Sequence, residues 1–311
     1  MNLIYSFYIP QTEQIVKLCK VSNNLYNQAL YLFRQTLKNE NKWLWYADMD
    51  KLMKEIPNLE GEINYKLLKA KVSQQILKIL DRNVKAYCKA IKDFKAHPAK
   101  YMAMPQLPSF RKRGSLFNLY YTNQAASIKE GKIRLAKDLF ISIPQWDKYN
   151  ERIQDFQQIR ILPEGKSLKV EIVYRYEVKE ADLDKTRYAS IDLGIDNLAT
   201  MVTDNGSFLY SGKFLKSYNR NFNRQLARLQ SIKDRQGIKK ATKRMQGLYE
   251  KRDKYFEDAF HKYSRMIVNH LIENRIGNLV VGYNTGWKQS VNIGKGNNQK
   301  FVQIPFARLA S

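Results

Sequence analysis

The stretch Tyr188-Ala-Ser-Ile-Asp-Leu-Gly-Ile-Asp-Asn-Leu-Ala-Thr200 decides how this chain reads. Residues 188–193 predict a short apolar strand that carries one carboxylate, Asp192, toward its end, with Gly194 close behind. Leu198–Thr203 and Ser207–Tyr210 predict two more strands, joined by the tight turn Asp204-Asn-Gly206. Asp196 and Asp204 fall where turns need short polar side chains, and turn roles are expected for both. A helical stretch from about Lys213 to Asn274 follows, then Leu279-Val-Val281, read as a buried strand.

Three strands, helix and strand, with an acid ending the first strand, is how an RNase H-like domain opens. Phosphodiester hydrolysis on that fold uses two divalent cations about 3.5–4 Å apart, held by several carboxylates from separate elements. Asp192 supplies one. The exit of the fourth strand, where a second acid would be useful, reads Val281-Gly-Tyr-Asn284, and from Asn274 to Ser311 there is no Asp or Glu. The chain there runs through Trp287-Lys-Gln289 and Gly294-Lys-Gly-Asn-Asn-Gln299. The glycine-rich piece lacks the G-x-x-x-x-G-K-[ST] spacing of a phosphate loop and reads as an ordinary loop.

Outward from this core, charge dominates. The 311 residues hold 54 Lys+Arg against 29 Asp+Glu, a net +25 with pI about 9.8. Such an excess in a globular chain points to a polyanion, with nucleic acid ahead of an acidic membrane surface. Residues 213–275 carry 17 Lys+Arg against 6 acids, and Arg220, Arg224, Arg228, Lys239, Lys240, Lys243 and Arg244 recur near i, i+4 spacing. Like charges so placed repel unless a phosphate backbone neutralises them. Between Asp81 and Arg134 there are 12 Lys+Arg against 3 acids, including Arg111-Lys-Arg113, interleaved with Tyr101, Phe110, Tyr120 and Tyr121. Basic residues beside aromatic rings suit backbone tracking and base stacking.

The N-terminal half divides by period. Residues 1–10 predict a strand ended by Pro10, and 11–96 a helical module with apolar stripes through Ile15, Cys19, Leu25, Phe33 and Val72, Ile76, Leu80, Val84. Residues 97–114 read as a basic, proline-rich linker crossing a surface. Short strands recur through 115–180, and a β-barrel or sandwich completed by the N-terminal strand is expected. Trp43-Leu-Trp45-Tyr46 reads as core packing. Cys19 and Cys88 read as buried free thiols, and His97, His261 and His270 have no zinc-finger spacing, so no zinc site is expected. Without a signal peptide or an apolar run of about 18 residues, the chain is expected in a reducing cytoplasm, with no membrane partner.

Several segments resemble a known family in its order: Pro105-Gln-Leu-Pro108 with Phe110-Arg-Lys112, Tyr121-Thr-Asn-Gln124, Ile191-Asp-Leu-Gly-Ile-Asp-Asn-Leu-Ala199, Gly282-Tyr-Asn-Thr-Gly-Trp-Lys-Gln289 and Gly294–Pro305. The family is TnpB, the transposon-encoded RNA-guided nucleases related to type V CRISPR effectors. The resemblance implies an α+β multidomain fold. A helical recognition lobe (11–96) would be inserted in a wedge β-barrel (1–10 and 115–180). The linker (97–114) and a RuvC-like domain (188–311) with basic bridging helices at about 213–275 would follow. It makes Asp192 the first RuvC acid. Nucleic-acid contacts are expected at Arg111, Lys112, Arg113, Tyr121, the seven basic residues of 220–244, Trp287 and Lys288.

The shortage of further acids and cysteines makes the chain similar to the nuclease-dead relatives known as TldR. The implied function is RNA-guided DNA binding that represses transcription in a prokaryotic nucleoid. Its partners are a guide RNA and duplex DNA beside a short motif, with no protein partner required. Magnesium enters only in the alternative, an RNA-guided endonuclease present as a fragment or completed by another chain. A second alternative is an RNA-binding protein without a DNA target.

Overall fold

A computed structural model of the chain describes residues 1–177, 180–282, 294 and 303–310. The fold is mixed α+β and divides into two units, Met1–Val178 and Lys179–Ser311.

In the first unit, β1 (Asn2–Pro10) runs antiparallel to β7 (Ser167–Arg175) over its whole length. The sheet order is β1-β7-β6-β2, with β6 at Phe156–Glu164 and β2 at Leu119–Thr122. The strand that opens the chain therefore closes the unit's sheet, and the helices lie between them in sequence. These are α1 (Glu13–Glu40), α2 (Tyr46–Met53) and α3 (Ala70–Ala96). The expected stripes meet in one core: Ile15, Cys19, Leu25 and Phe33 of α1 are buried with Val72, Ile76, Leu80 and Val84 of α3. Burial pushes the Cys19 thiol up to about 12, so it is an inert core group. Trp43 packs on Phe33 and stacks on Trp45, with centroids 5.8 Å apart in each pair.

The barrel expected from residues 1–10 and 115–180 does not close among the described residues. β3 (Ser127–Lys129), β4 (Lys132–Ala136) and β5 (Leu139–Ser142) form their own three-stranded sheet. The β3–β4 turn takes Glu130 and Gly131 through positive φ (46° and 72°), the geometry of a tight hairpin. With seven strands split into two open sheets, no continuous ladder can curl into a barrel. Helix α4 (Trp146–Ile153) follows β5.

The proline-rich segment is less free than its composition implies. Asn27 of α1 grips Arg111 twice, Nδ2 donating to its carbonyl and Oδ1 accepting from its backbone N–H, both at 2.8 Å. Asn23 Nδ2 donates to the Lys112 carbonyl at 3.2 Å, and Ser22 Oγ to the Asn118 carbonyl at 2.8 Å. Arg34 donates to the Pro108 carbonyl at 2.6 Å. Ser22 and Asn23 are fully buried on α1, so this strap supplies the partners their polar groups require.

In the second unit the sheet order is β10-β9-β8-β11: β8 is Asp184–Leu193, β9 Asn197–Thr203, β10 Gly206–Ser211 and β11 Ile276–Gly282. β8, β9 and β10 form an antiparallel meander, and β11 returns parallel to β8 after the helices. Ala189, Ile191 and Leu193 point into the core, while Tyr188, Ser190 and Asp192 are exposed on the other face. The helical stretch expected from 213 to 274 consists of two helices, α5 (Lys213–Arg235) and α6 (Lys243–Glu273). Gly237 turns the chain between them at φ 64°, and the Thr242 hydroxyl caps α6 by accepting from the Met245 N–H.

An aromatic ladder joins the two helices. Phe214 packs on Tyr263 and Tyr255, Tyr218 stacks flat on Tyr255 at 3.9 Å, and Phe222 meets Tyr249 edge-on at 5.3 Å. Beneath it Leu215, Phe256, Phe260, Ile267 and Leu271 bury against the sheet, together with Ile304 and Phe306 before the short helix α7 (Ala307–Ala310). The 279–281 strand, expected to be buried, leaves Leu279 and Val280 39% and 57% exposed. β11 is the last strand of its sheet and pairs only with β8 among the described residues.

Gly194 makes the turn out of β8. A Cβ there would stand 2.8 Å from the Asn197 carbonyl oxygen, a backbone atom that cannot swing away. Gly194→Ala is expected to lower the melting temperature by about 3–10 °C, consistent with a loss of roughly 1–3 kcal/mol. Thermal denaturation followed by circular dichroism measures this, and an unshifted transition would contradict the steric account.

Candidate nucleic-acid interface

The buried side of α5 carries Leu215, Asn219 and Phe222, so the opposite side is left to Arg220, Arg224 and Arg228. These are one turn apart, about 6 Å along the axis. All three are exposed, as are Lys239 and Lys240 in the following loop and Lys243 and Arg244 at the start of α6. The side chains of Arg220, Arg228, Lys239, Lys240, Lys243 and Arg244 make no hydrogen bond or ion pair among the described residues. Arg224 donates only to the neutral Asn221 side chain, at 3.0 Å. Acids of the same helices face other cations: Asp234 meets Lys233 at 3.4 Å, Asp253 meets Arg252 at 3.7 Å and Asp258 meets Lys262 at 2.7 Å. The interhelical hydrophobic ladder holds the pair together while this cationic surface stays uncompensated.

Arg252 was not singled out in the sequence and behaves differently. Its guanidinium lies over Phe256 and Phe222, 4.6 and 5.2 Å from their centroids. It donates to Asn219 Oδ1 at 2.8 Å and to the Gln303 carbonyl. The Gln303 side-chain oxygen in turn accepts from Asn219 at 2.9 Å and Asn223 at 2.8 Å. Burial lowers the pKa of Arg252 from the ordinary guanidinium value. It staples residue 303 to both helices, and no sequence signal distinguishes it from the surface cations.

The basic cluster of the first unit splits. Arg111 is spent on the fold: its guanidinium lies 4.0 Å from the Phe117 ring centroid and donates to Asn23 Oδ1 at 3.2 Å. Lys112 and Arg113 are exposed. Tyr121, expected to stack on bases, is 3% exposed and belongs to the core. Burial, with Cys19 nearby, raises its hydroxyl pKa, and it has no ring face to offer. Trp287 and Lys288 lie outside the described residues.

Asp192 is exposed near the carboxyl end of β8, opposite Thr200 on β9 and Gly282 on β11. A Cβ on Gly282 would lie 3.7 Å from Asp192 Oδ1, so a side chain there would emerge beside the carboxylate. Glycine supplies none. Asp196 is held by Lys216 at 2.6 Å and Asp204 by Arg187 at 3.0 Å, and the Arg187 hydrogen bond lowers the Asp204 pKa. Among the described residues no three His, Cys, Asp or Glu side chains gather where they could hold a metal ion. That donor set does not fit a pair of hard cations.

Residues 171–288 match the family model OrfB_IS605, described as a probable transposase. No curated protein matches the sequence significantly. A chain of a Cas12f1-sgRNA-target DNA complex is similar at 13% identity and a TM-score of 0.55, over 96% of this chain and 69% of that one. A chain of a CRISPR-Cas12f ternary complex aligns at 11% identity with a TM-score of 0.35, over 96% and 68%. Among the described residues no helix is long and apolar enough to cross a membrane. Residues 171–288 are thus similar to the OrfB_IS605 probable transposases, and the chain has a Cas12f-like α+β fold.

Proposed function

We propose that this chain is an RNA-guided DNA-binding protein that does not cut its target. It holds a guide RNA, pairs it with duplex DNA beside a short motif, and blocks transcription there, in a prokaryotic cytoplasm at the nucleoid. The observation that carries the reading is the contrast within the second unit. Seven exposed cations on α5, α6 and their loop await phosphates, while Asp192 faces a glycine where a second carboxylate would be needed. In this reading 11–96 act as the recognition lobe, 1–10 with 115–180 as the wedge, and 188–311 as a RuvC-like platform reached through 97–114. Strand exchange between guide and duplex is nearly balanced in free energy, so backbone contacts and motif recognition suffice to drive it without ATP.

A second reading is an RNA-guided endonuclease whose remaining acids come from another chain or from a part of the protein beyond this sequence. One observation favours it: Asp192 is exposed at a strand end, where a metal ligand of this fold would stand.

The experiment is guide-dependent binding and cleavage of matched DNA by the purified chain with its co-purified RNA, in magnesium. A footprint on matched duplex without strand scission is the expected result. Asp192→Ala should change the affinity less than about threefold, because a lone exposed carboxylate contributes little to binding. Magnesium-dependent cutting abolished by Asp192→Ala would establish the endonuclease. RNA retention with no footprint would leave an RNA-binding protein without a DNA target.

The same assay across a salt series tests the basic surface. Replacing Arg220, Arg224 and Arg228 together by Ala should flatten the slope of log K against log salt by about 2–3, from roughly 0.7–0.9 per lost phosphate contact. An unchanged slope would remove α5 from the interface.

A further inference from the structure

An open cleft of about 730 Å³ lies in the first unit, between one face of α3 and the strapped segment 105–115. Asn83, Ala86, Tyr87 and Ala90, spaced by three and four, form one wall, and Pro105 to Lys112 form the other. Its volume falls in the range of about 300–1,000 Å³ used by small-molecule sites. Phe110 stands at the cleft 47% exposed, although the Arg34 guanidinium lies 4.9 Å from its ring centroid. Arg34 is itself tied to the Pro108 carbonyl, which holds its guanidinium beside the ring.

The polar groups are also arranged. Asn83 uses its amide nitrogen on the Tyr26 hydroxyl at 3.2 Å, and Gln106 uses its own on the Met104 carbonyl at 3.3 Å. Each keeps an amide oxygen that can accept from a ligand. The charge balance favours an anion. Residues 70–115 contain 11 Lys+Arg and two acids, Asp81 and Asp93, and both acids are occupied. Asp81 accepts from the Tyr46 N–H at 3.1 Å and pairs with Lys85 at 2.7 Å. Asp93 accepts from Lys100 at 2.7 Å and from the Tyr101 hydroxyl at 2.5 Å. No carboxylate of these segments is left to repel a phosphate, and Lys112 is exposed at the cleft.

We propose that this cleft binds one unpaired nucleotide, with the base against Phe110, its edge toward Gln106 and Asn83, and its phosphate at Lys112. A base inside a duplex has both faces stacked and its pairing edge occupied, so this combination of ring and amides recognises only a base that is out of its helix. The site rests on the nucleic-acid-binding function proposed above and adds a place where a strand is held by its base rather than by its backbone. The nucleotide comes either from the RNA or from the displaced DNA strand.

The test is ultraviolet crosslinking of the full chain, stripped of its RNA in high salt, to short uridine and thymidine homopolymers, with the attached peptides mapped by mass spectrometry. Crosslinks within 83–90 or 105–112 are expected. Attachment of the uridine probe alone marks an RNA nucleotide, and attachment of both probes admits the DNA strand. Phe110→Leu should weaken binding at least about fivefold and lose the crosslink, whereas Phe110→Trp should stay within about twofold, as expected where a ring stacks on a base. Binding that Phe110→Leu leaves intact, with crosslinks only elsewhere, overturns the cleft and spares the broader reading. Failure of the unmodified chain to bind either probe overturns both. Should Phe110→Leu fail to fold, the crosslink map of the unmodified chain decides by itself.

Discussion

The register of two parallel strands governs what the second unit can do. β11 pairs with β8 so that Val280 meets Ser190, Val281 meets Ile191 and Gly282 meets Asp192. Side chains alternate along a strand, so this register fixes which residue of β11 shares a face with the carboxylate. A shift by one would offer Val281 or Tyr283 instead, and would bury the wrong face of β11. The residue at the decisive place has no side chain. Carboxylates that must share a cation have to be brought together by backbone geometry, because a hard divalent ion tolerates little error in ligand position. Here the register sets Gly282 beside Asp192, where a side chain would emerge next to the carboxylate.

Charge on this unit is distributed with a similar economy. The α5–α6 pair needs no salt bridges between its helices, because Phe214, Tyr218 and Phe222 interlock with Tyr263, Tyr255 and Tyr249. Aromatic pairs of this kind contribute about 0.5–1.5 kcal/mol each beyond the area they bury. Solvent-exposed ion pairs contribute less, typically under about 1 kcal/mol. With cohesion supplied by rings, the surface cations remain available. Arg252 shows the other fate of a cation on these helices: stacked on Phe222 and Phe256 and hydrogen-bonded to Asn219, it is a structural group that happens to be charged.

Much of this was legible in the sequence, and the failures have definite causes. Period separated helices from strands: the α1 and α3 stripes, the meander after Tyr188 and the return strand near 279–281 all lie where the apolar spacing put them. Period cannot report partners distant in the chain. Arg111 and Arg113 look alike in sequence, and only the asparagines 84 and 88 residues earlier mark the first as structural. Tyr121 could have been read better, since it shares a face with Leu119 on a four-residue strand while Tyr120 faces the other way. Barrel closure was beyond reach, because it depends on which strand edges meet rather than on any strand's own pattern. The exposure of Leu279 and Val280 belongs with it: an apolar strand reads the same whether it has one neighbour or two.

Free carboxylates bear on binding as well as on hydrolysis. Acids that gather metal ions also repel phosphates whenever the ions are absent, so a surface built to cut depends on metal for part of its affinity. A surface that offers cations and few free acids has no such dependence. Asp196, in the turn after β8, and Asp204, at the other end of the β8–β9 pair, are engaged by Lys216 and Arg187. Nearly balanced strand exchange needs only a modest bias to go forward, and cationic contacts along the backbone supply it directly. In the function proposed above, a surface of this kind would favour holding a hybrid over releasing it.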